Sequence, residues 1–268
     1  MATTKINGIN LFWEMTGEKG EPLVLVHGSW GDHHNWDAVV PELAKHFRVI
    51  TYDRRGHSQS ERPPGQGKVR EDVADLAALI NHLKIIPANI AGNSFGAIIT
   101  LKLASENPDL FKTMLIHEPP LVSLLEGNPK MKPVLEMVAE RVSAVADLLV
   151  QGKNDKAAEL FVETIAFGPG TWKTLPLGVQ QTFIFNAPTW LDEIQDEESL
   201  RIDLSKLHNF PHAVLLSEGD KSAPFFLAII DIIAAALPGV QRKTFAGAGH
   251  VPHLSHPQDY LKTVLEFI

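Results

Sequence analysis

Short apolar runs alternate with longer amphipathic segments along most of this sequence. Six of the runs are mostly apolar and mostly flanked by glycine or proline, a pattern typical of strands that are covered on both faces of a sheet. They are Pro22–His27, Phe47–Tyr52, Ala88–Ala91, Thr113–His117, Ala213–Ser217 and Val240–Phe245. Asn10–Glu14 precedes them and is predicted as an antiparallel edge strand.

Segments with helical periodicity lie between these strands. Lys68–Leu83 places its apolar residues on one stripe, and Phe95–Glu106 follows a strand directly. Phe225–Leu237 ends before a Pro-Gly pair, and Pro257–Ile268 has proline in its first turn, where a helix tolerates it. This alternation of strands and helices predicts an α/β fold with a doubly wound, mostly parallel sheet.

The segment between His117 and Ala213 breaks the alternation, because it contains no good strand pattern. It predicts several short helices, namely Lys132–Leu149, Asp155–Ala166, Leu177–Asn186 and an acidic turn around Ile194–Leu200. An insertion of this length is usually functional. We therefore predict a helical lid, or cap, over residues 119–209, inserted into a core formed by residues 1–118 and 210–268.

The insertion is rich in aromatic side chains. They either line a site beneath the lid or, more simply, fill the small core of the insertion itself. They are Phe161, Phe167, Trp172, Phe183, Phe185 and Trp190.

The segment Gly92-Asn93-Ser94-Phe95-Gly96 has the form G-x-S-x-G, and it lies between a predicted strand and a predicted helix. A serine at such a turn has a strained backbone, and the flanking glycines relieve the clashes around it. The helix that follows favours negative charge at its N-terminus. Ser94 is therefore the candidate nucleophile, and a helix-capping serine between turn glycines is the alternative.

A serine nucleophile needs a general base and a carboxylate that orients the base. His250, in a glycine-rich loop after the last predicted strand, is the candidate base. Asp220 follows the strand Ala213–Ser217 and completes the chain order Ser-Asp-His, so it is the preferred acid. Glu118, at the end of the preceding strand, is the alternative acid. All of these residues follow strands, where open α/β sheets place their sites.

The segment His27-Gly28-Ser29-Trp30-Gly31 follows the first apolar strand and is the candidate oxyanion loop. We predict that a backbone N–H of Ser29 or Trp30, together with that of Phe95, holds the oxyanion of an acyl-transfer reaction. An ordinary glycine-rich turn is the alternative. His253 and His256 follow His250 at three-residue spacing, but no acidic ligand set accompanies them, and we predict no metal site.

Composition narrows the possibilities. The 268-residue chain has no cysteine, which excludes a disulfide scaffold, a cysteine-ligated metal and a cysteine nucleophile. Its net charge of −8 argues against a nucleic-acid partner. No apolar stretch has the length of a membrane span, and no signal-peptide pattern is visible. We therefore expect a cytoplasmic protein with a small-molecule substrate and no membrane partner, and we leave open a homo-oligomer.

Together these segments, the Asp53–Ser58 turn, Gly219-Asp220 and Gly249-His250 resemble the α/β-hydrolase superfamily from about residue 10 to the end of the chain. The resemblance implies an eight-stranded sheet, a cap after the sixth strand, Ser/Asp/His catalysis and no cofactor. It also implies a structural role for the Asp53–Ser58 turn. In many members two residues separate the glycine from the acid, whereas Gly219 and Asp220 are adjacent here.

The predicted function is that of a serine hydrolase, which cleaves an ester or related acyl bond of a small, largely apolar substrate through an acyl-enzyme. The resemblance argues against epoxide hydrolases and haloalkane dehalogenases, whose elbow carries aspartate. One alternative is a C–C bond hydrolase of ring-cleavage products, which shares the Gly-Asn-Ser start, although Val251 stands where those enzymes often have an aromatic residue. Another is a small-molecule receptor that keeps the fold without turnover.

Overall fold

The computed structural model describes all 268 residues and contains one eight-stranded sheet. The strands are β1 (Ala2–Ile6), β2 (Ile9–Thr16), β3 (Pro22–Val26), β4 (Arg48–Tyr52), β5 (Ala88–Asn93), β6 (Phe111–His117), β7 (Ala213–Gly219) and β8 (Gln241–Phe245). Their spatial order is β1-β2-β4-β3-β5-β6-β7-β8. Only the β1/β2 and β2/β4 pairs are antiparallel, so the predicted doubly wound, mostly parallel sheet is confirmed.

Ten α-helices accompany the sheet. They are α1 (Val40–Leu43), α2 (Val69–Leu83), α3 (Phe95–Glu106), α4 (Lys132–Val150), α5 (Asn154–Phe161), α6 (Leu177–Asn186), α7 (Thr189–Gln195), α8 (Pro224–Ala236), α9 (Pro252–Ser255) and α10 (Pro257–Phe267). None of them combines the length and the apolarity needed to cross a membrane.

Each face of the sheet has its own apolar cluster. Successive side chains of a strand point to opposite faces, and in β3 Val24 and Val26 join a cluster of 35 buried residues while Leu23 and Leu25 join one of 15. Helices α2, α3 and α8 cover the larger cluster, and α1 and α10 cover the smaller one. Burial on both faces is the reason that the central strands are uninterrupted apolar runs.

The edge of the sheet contains a strand that the apolar pattern does not predict. β1 pairs with β2 through a two-residue turn, in which Asn7 and Gly8 both have positive φ (46° and 85°). Because β1 lies at the edge, its residues Thr3 and Lys5 are exposed, and only Ile6 is buried. β1 supplies the eighth strand that the family resemblance implied.

Helices α4 to α7 all lie in the segment between β6 and β7, which we call the insertion. Predicted helix Leu177–Asn186 matches α6, whereas predicted helix Asp155–Ala166 is divided into α5 and a π-helical turn at Val162–Ala166. The predicted turn around Ile194–Leu200 lies at the end of α7 and just after it.

The insertion has a third apolar cluster of its own. Nine of its ten buried residues belong to the insertion, and the tenth is Trp30, which comes from the candidate oxyanion loop. Trp172, Phe183 and Trp190 therefore fill the interior of the insertion, as the simpler alternative predicted. Phe185 is not part of this interior, because 67% of its surface is exposed.

The start of α3 lies close against the end of β3, and Gly96 makes this approach possible. A Cβ atom at position 96 would lie 2.2 Å from the carbonyl oxygen of Val26 and 2.5 Å from that of His27. Real Cβ atoms do not come so close to backbone oxygens, so any side chain here would push the helix away from the strand.

Substitution of Gly96 tests this packing. Overpacking of this kind costs roughly 1–3 kcal/mol, and we expect Gly96→Ala to lower the free energy of unfolding in urea by about 2 kcal/mol. Gly178→Ala in α6 is the control, because nothing lies within 4 Å of its Cβ position, and its stability should be equal or higher. Equal effects of the two substitutions would contradict the packing argument.

Candidate active site

Ser94 lies on the turn between β5 and α3, and its backbone is strained. Its φ of 57° and ψ of −124° fall outside the regions that L-residues favour. The turn is tight because Gly92 packs under the helix: a Cβ at position 92 would lie 2.5 Å from the carbonyl oxygen of Gly96. The side chain of Ser94 remains partly exposed in a region where its neighbours are buried.

The candidate oxyanion loop lies directly against this turn. A Cβ at Gly28 would be 2.9 Å from the Cβ of Ser94 and 3.4 Å from its Oγ. No hydrogen bond within the protein uses the backbone N–H of Ser29 or Trp30. Phe95 is the first residue of α3, where backbone N–H groups have no acceptor within the helix. The predicted donor residues therefore surround Ser94.

His250 is oriented by Glu118. Its Nδ1 lies 2.6 Å from Oε2 of Glu118, whose side chain is fully buried, and Oε1 of the same carboxylate accepts a hydrogen bond of 2.7 Å from the Gly219 N–H. A carboxylate only accepts hydrogen bonds, so Nδ1 of His250 carries the proton. In the neutral imidazole, Nε2 is then the nitrogen that can take a proton from a nucleophile.

Two further contacts hold His250. The side-chain amide of Asn93 donates a hydrogen bond of 3.0 Å to the carbonyl oxygen of His250, and the imidazole stacks on Phe226 with ring centroids 4.7 Å apart. Asn93 immediately precedes Ser94, so this bond ties the histidine loop to the serine turn. The imidazole itself is hydrogen-bonded to Glu118 and not to Ser94 Oγ.

The preference for Asp220 as the acid is corrected by the structure. Oδ1 of Asp220 accepts a hydrogen bond of 2.8 Å from the Gly247 N–H, and its side chain is 41% exposed beside Lys221. It makes no hydrogen bond with His250. Because Asp220 directly follows the last residue of β7, its short side chain reaches only the start of the histidine loop. Glu118, the alternative acid, occupies the position beside the imidazole.

Glu118 is ionised and constrained. Burial alone would raise the pKa of its carboxyl, but the hydrogen bond and charge of His250, with His117 and the Gly219 N–H, lower that pKa to about 2. The backbone of Glu118 has a positive φ of 44°, and the φ angles of Ser94 (57°) and Trp30 (66°) are also positive. Such strain in non-glycine residues persists only where the surroundings enforce it, and it concentrates at functional sites. Three of the six non-glycine residues with positive φ therefore belong to the candidate site.

A buried ionic network, which the sequence analysis did not find, lies beneath the oxyanion loop. Arg54 is 1% exposed and contacts the carboxylates of Asp72 (3.1 Å) and Glu193 (2.9 Å). Nε2 of His27 accepts a hydrogen bond from the backbone N–H of Arg54, and its Nδ1 contacts the carbonyl oxygen of Gly28. Burial, together with the positive charge of Arg54, lowers the pKa of His27 to about 4. No sequence signal connects Arg54 with a glutamate 139 positions away.

Asp32, His33 and His34 bring ligand-type atoms within 4.8 Å of one another. Their contacts have another explanation. The Asp32 carboxylate accepts hydrogen bonds from the His34 N–H and from Ser58, and His33 Nδ1 lies 2.6 Å from Asp53. This group therefore caps a short 3₁₀ turn, and we assign no metal to it.

The sequence of this chain is similar to sequences of known hydrolases. Residues 23–263 match the profile of the alpha/beta hydrolase family. The 2-hydroxymuconate semialdehyde hydrolase of Pseudomonas sp. (strain CF600) is 30% identical over 274 residues, covering 93% of this chain and 87% of that enzyme. An uncharacterized hydrolase of Bacillus subtilis (strain 168), YraK, is 37% identical over 128 residues. That match spans only 47% of each protein, about half the length of YraK.

Solved structures share the same fold. The epoxide hydrolase of Bacillus megaterium in complex with an inhibitor superposes with a TM-score of 0.79, covering 99% of both chains at 20% sequence identity. At this level of identity the similarity concerns the fold alone.

The ionisation of Glu118 predicts a pH-dependent stability. Its folded pKa of about 2 lies below the ordinary value of 4.5, so the ionised carboxylate stabilises the fold above about pH 4.5. This contribution is lost as the pH falls toward 2. Relative to Glu118→Gln, the wild-type free energy of unfolding should fall by roughly 1–3 kcal/mol between about pH 5 and pH 3. Parallel curves for the two proteins in urea titrations would refute this assignment.

Proposed function

This chain belongs to the α/β hydrolase family, and on that premise we propose that it is a serine hydrolase that cleaves an ester or related acyl bond of a small, largely apolar substrate. The observation that carries the proposal is the 2.6 Å contact between His250 and buried Glu118, beside a serine in a strained turn. Three strand ends deliver these groups to one edge of the sheet, where a parallel α/β sheet places its site.

The proposed reaction has two steps. Ser94 attacks the substrate carbonyl while Nε2 of His250 takes its proton, and Glu118 stabilises the imidazolium that forms. The backbone N–H groups of Phe95 and of Ser29 or Trp30 stabilise the oxyanion. The protonated histidine then gives its proton to the leaving oxygen as the bond between that oxygen and the acyl carbon breaks, which releases the alcohol and leaves the acyl group on Ser94. His250 then activates a water molecule, which hydrolyses the acyl-enzyme.

We propose that the insertion is the cap of this site, in line with the predicted division at about residues 119 and 209. This proposal is supported by the packing of Trp30, a residue of the candidate oxyanion loop, into the apolar cluster of the insertion. The ring of Phe226 stacks on the imidazole of His250, with the two ring centroids 4.7 Å apart. An aromatic surface beside the candidate base favours an apolar acyl or alcohol group.

A C–C bond hydrolase is the second candidate function. It is favoured by the similarity to the 2-hydroxymuconate semialdehyde hydrolase, which extends over 93% of the chain. Against it, Arg54 is the buried cation nearest to the oxyanion loop, and it is already paired with Asp72 and Glu193. It is therefore not free to bind the carboxylate of a ring-cleavage product. Faster turnover of such a product than of p-nitrophenyl esters would reverse this preference.

Ser94→Ala tests the nucleophile. The wild type should react with a fluorophosphonate probe and hydrolyse p-nitrophenyl butyrate, and the variant should lose labelling and at least about 10⁴-fold in kcat. Ser105→Ala, near the other end of α3, is the matched control and should retain both properties. A wild type that binds ligands but is not labelled would instead indicate a receptor.

Glu118→Gln and Asp220→Asn identify the acid. Glu118→Gln removes the charge that stabilises the His250 imidazolium, so kcat should fall about 10²- to 10⁴-fold. Asp220→Asn should change kcat by less than about threefold, because Asp220 contacts only the loop backbone at Gly247 and an exposed lysine. Steady-state kinetics on one ester suffice, and a larger loss in Asp220→Asn would restore Asp220 as the acid.

A further inference from the structure

Glu193 lies on α7 of the insertion, and both oxygens of its carboxylate bind residues of the core. Its side chain is 6% exposed. Oε2 accepts a hydrogen bond of 2.5 Å from Ser29 Oγ, and Oε1 accepts two hydrogen bonds of 2.9 Å from the Arg54 guanidinium. All three bonds cross from the insertion to the core, and none is made to another residue of the insertion.

Both partners of Glu193 belong to the proposed oxyanion site. Ser29 is itself a candidate donor through its backbone N–H. Arg54 donates a further hydrogen bond of 3.2 Å to the carbonyl oxygen of Gly28, and its guanidinium lies 4.6 Å from the centre of the Phe95 ring. Through Ser29 and Arg54, the Glu193 carboxylate is therefore linked to the oxyanion loop and to Phe95, which are the two predicted sources of oxyanion donors.

The same face of α7 holds the next residue of the loop. The Trp30 ring packs 5.5 Å from the Trp190 ring and 4.6 Å from that of Phe161. Trp190 and Glu193 are three positions apart, so they lie on one side of the helix. Consecutive loop residues, Ser29 and Trp30, are thus held by one face of one helix, and Trp30 keeps its positive φ of 66° in this setting.

A carboxylate in this place has an electrostatic cost. It lies close to where negative charge develops in the reaction, and burial raises its pKa. An apolar residue would fill the space without that cost. What the carboxylate supplies is directional: it fixes the Ser29 side chain and the plane of the Arg54 guanidinium at the same time.

We propose that Glu193 is a positioning residue, which aligns the oxyanion-loop N–H groups through Ser29 and Arg54. The inference rests on the proposed function. It makes oxyanion stabilisation dependent on the position of α7, so that the site is complete only when the insertion is seated on the core. Misalignment of the donors weakens binding of the transition state more than binding of the substrate.

Glu193→Gln is the first test, because it keeps the shape of the side chain and removes its charge. Loss of a whole oxyanion donor costs about 10²–10³ in kcat, and we expect displacement of the donors to cost roughly 10- to 100-fold. KM for p-nitrophenyl butyrate should change by less than about threefold. Affinity for phenylboronic acid, whose adduct with Ser94 places an oxygen in the oxyanion site, should fall in parallel with kcat.

Asp192→Asn is the matched control. Asp192 is the neighbouring residue on α7, and it also joins the insertion to a core arginine, through a 2.9 Å contact with Arg62, but this pair is partly exposed and lies outside the oxyanion site. Its substitution should leave kcat and boronic-acid affinity within about twofold of the wild type. Equal losses in the two variants would mean that the contacts serve only to seat the insertion, and would overturn the proposal.

Ser29→Ala provides a second route if Glu193→Gln does not fold. It keeps the backbone N–H and removes one hydrogen bond to Glu193, so kcat should fall about three- to tenfold. Unchanged kcat in Ser29→Ala or in Glu193→Gln would overturn the proposal. If Ser94→Ala still abolishes activity and labelling in that case, only the role of Glu193 fails, whereas an active Ser94→Ala removes the proposed function itself.

Discussion

The proposed chemistry of this site depends on the buried hydrogen bond from His250 to Glu118. A carboxylate with no exposed surface is stable only when its oxygens are satisfied, and here each oxygen has a partner, one being the His250 imidazole and the other the Gly219 N–H. The contact therefore joins the ends of β6 and β7 to the loop that carries the histidine. The positions of the candidate base, of the proton on its Nδ1 and of the histidine loop all follow from this contact.

The fold was largely predictable because most of its information is local. Central strands are buried on both faces and consequently appear as plain apolar runs, and the turn at Ser94 is set by glycines that lie next to it in sequence. β1 is the informative exception. Its outward residues are polar because it is an edge strand, so the apolar pattern does not reveal it, although the Asn7-Gly8 pair is a typical hairpin signal.

The site was predictable only in part, because its decisive contacts are distant in sequence. Chain order favoured Asp220, but the structure brings the carboxylate of Glu118, and not that of Asp220, to Nδ1 of His250. Glu118 is 132 positions from His250, extends from a neighbouring strand and has one methylene more than aspartate. The link between Arg54 and Glu193 has the same character, since neither residue carries a motif that points to the other.

The insertion has consequences for how this protein can be altered. Nine of the ten buried residues in its apolar cluster are its own, and Trp30 is the one core residue in that cluster. The same segment also supplies Leu121, Leu125 and Leu207 to the large apolar cluster of the sheet. Exchange of the whole segment for one from a relative must therefore replace these three apolar contacts with the sheet cluster. A functional chimera carries a further requirement: the donor segment must offer an aromatic pocket for Trp30 and a carboxylate within reach of Ser29.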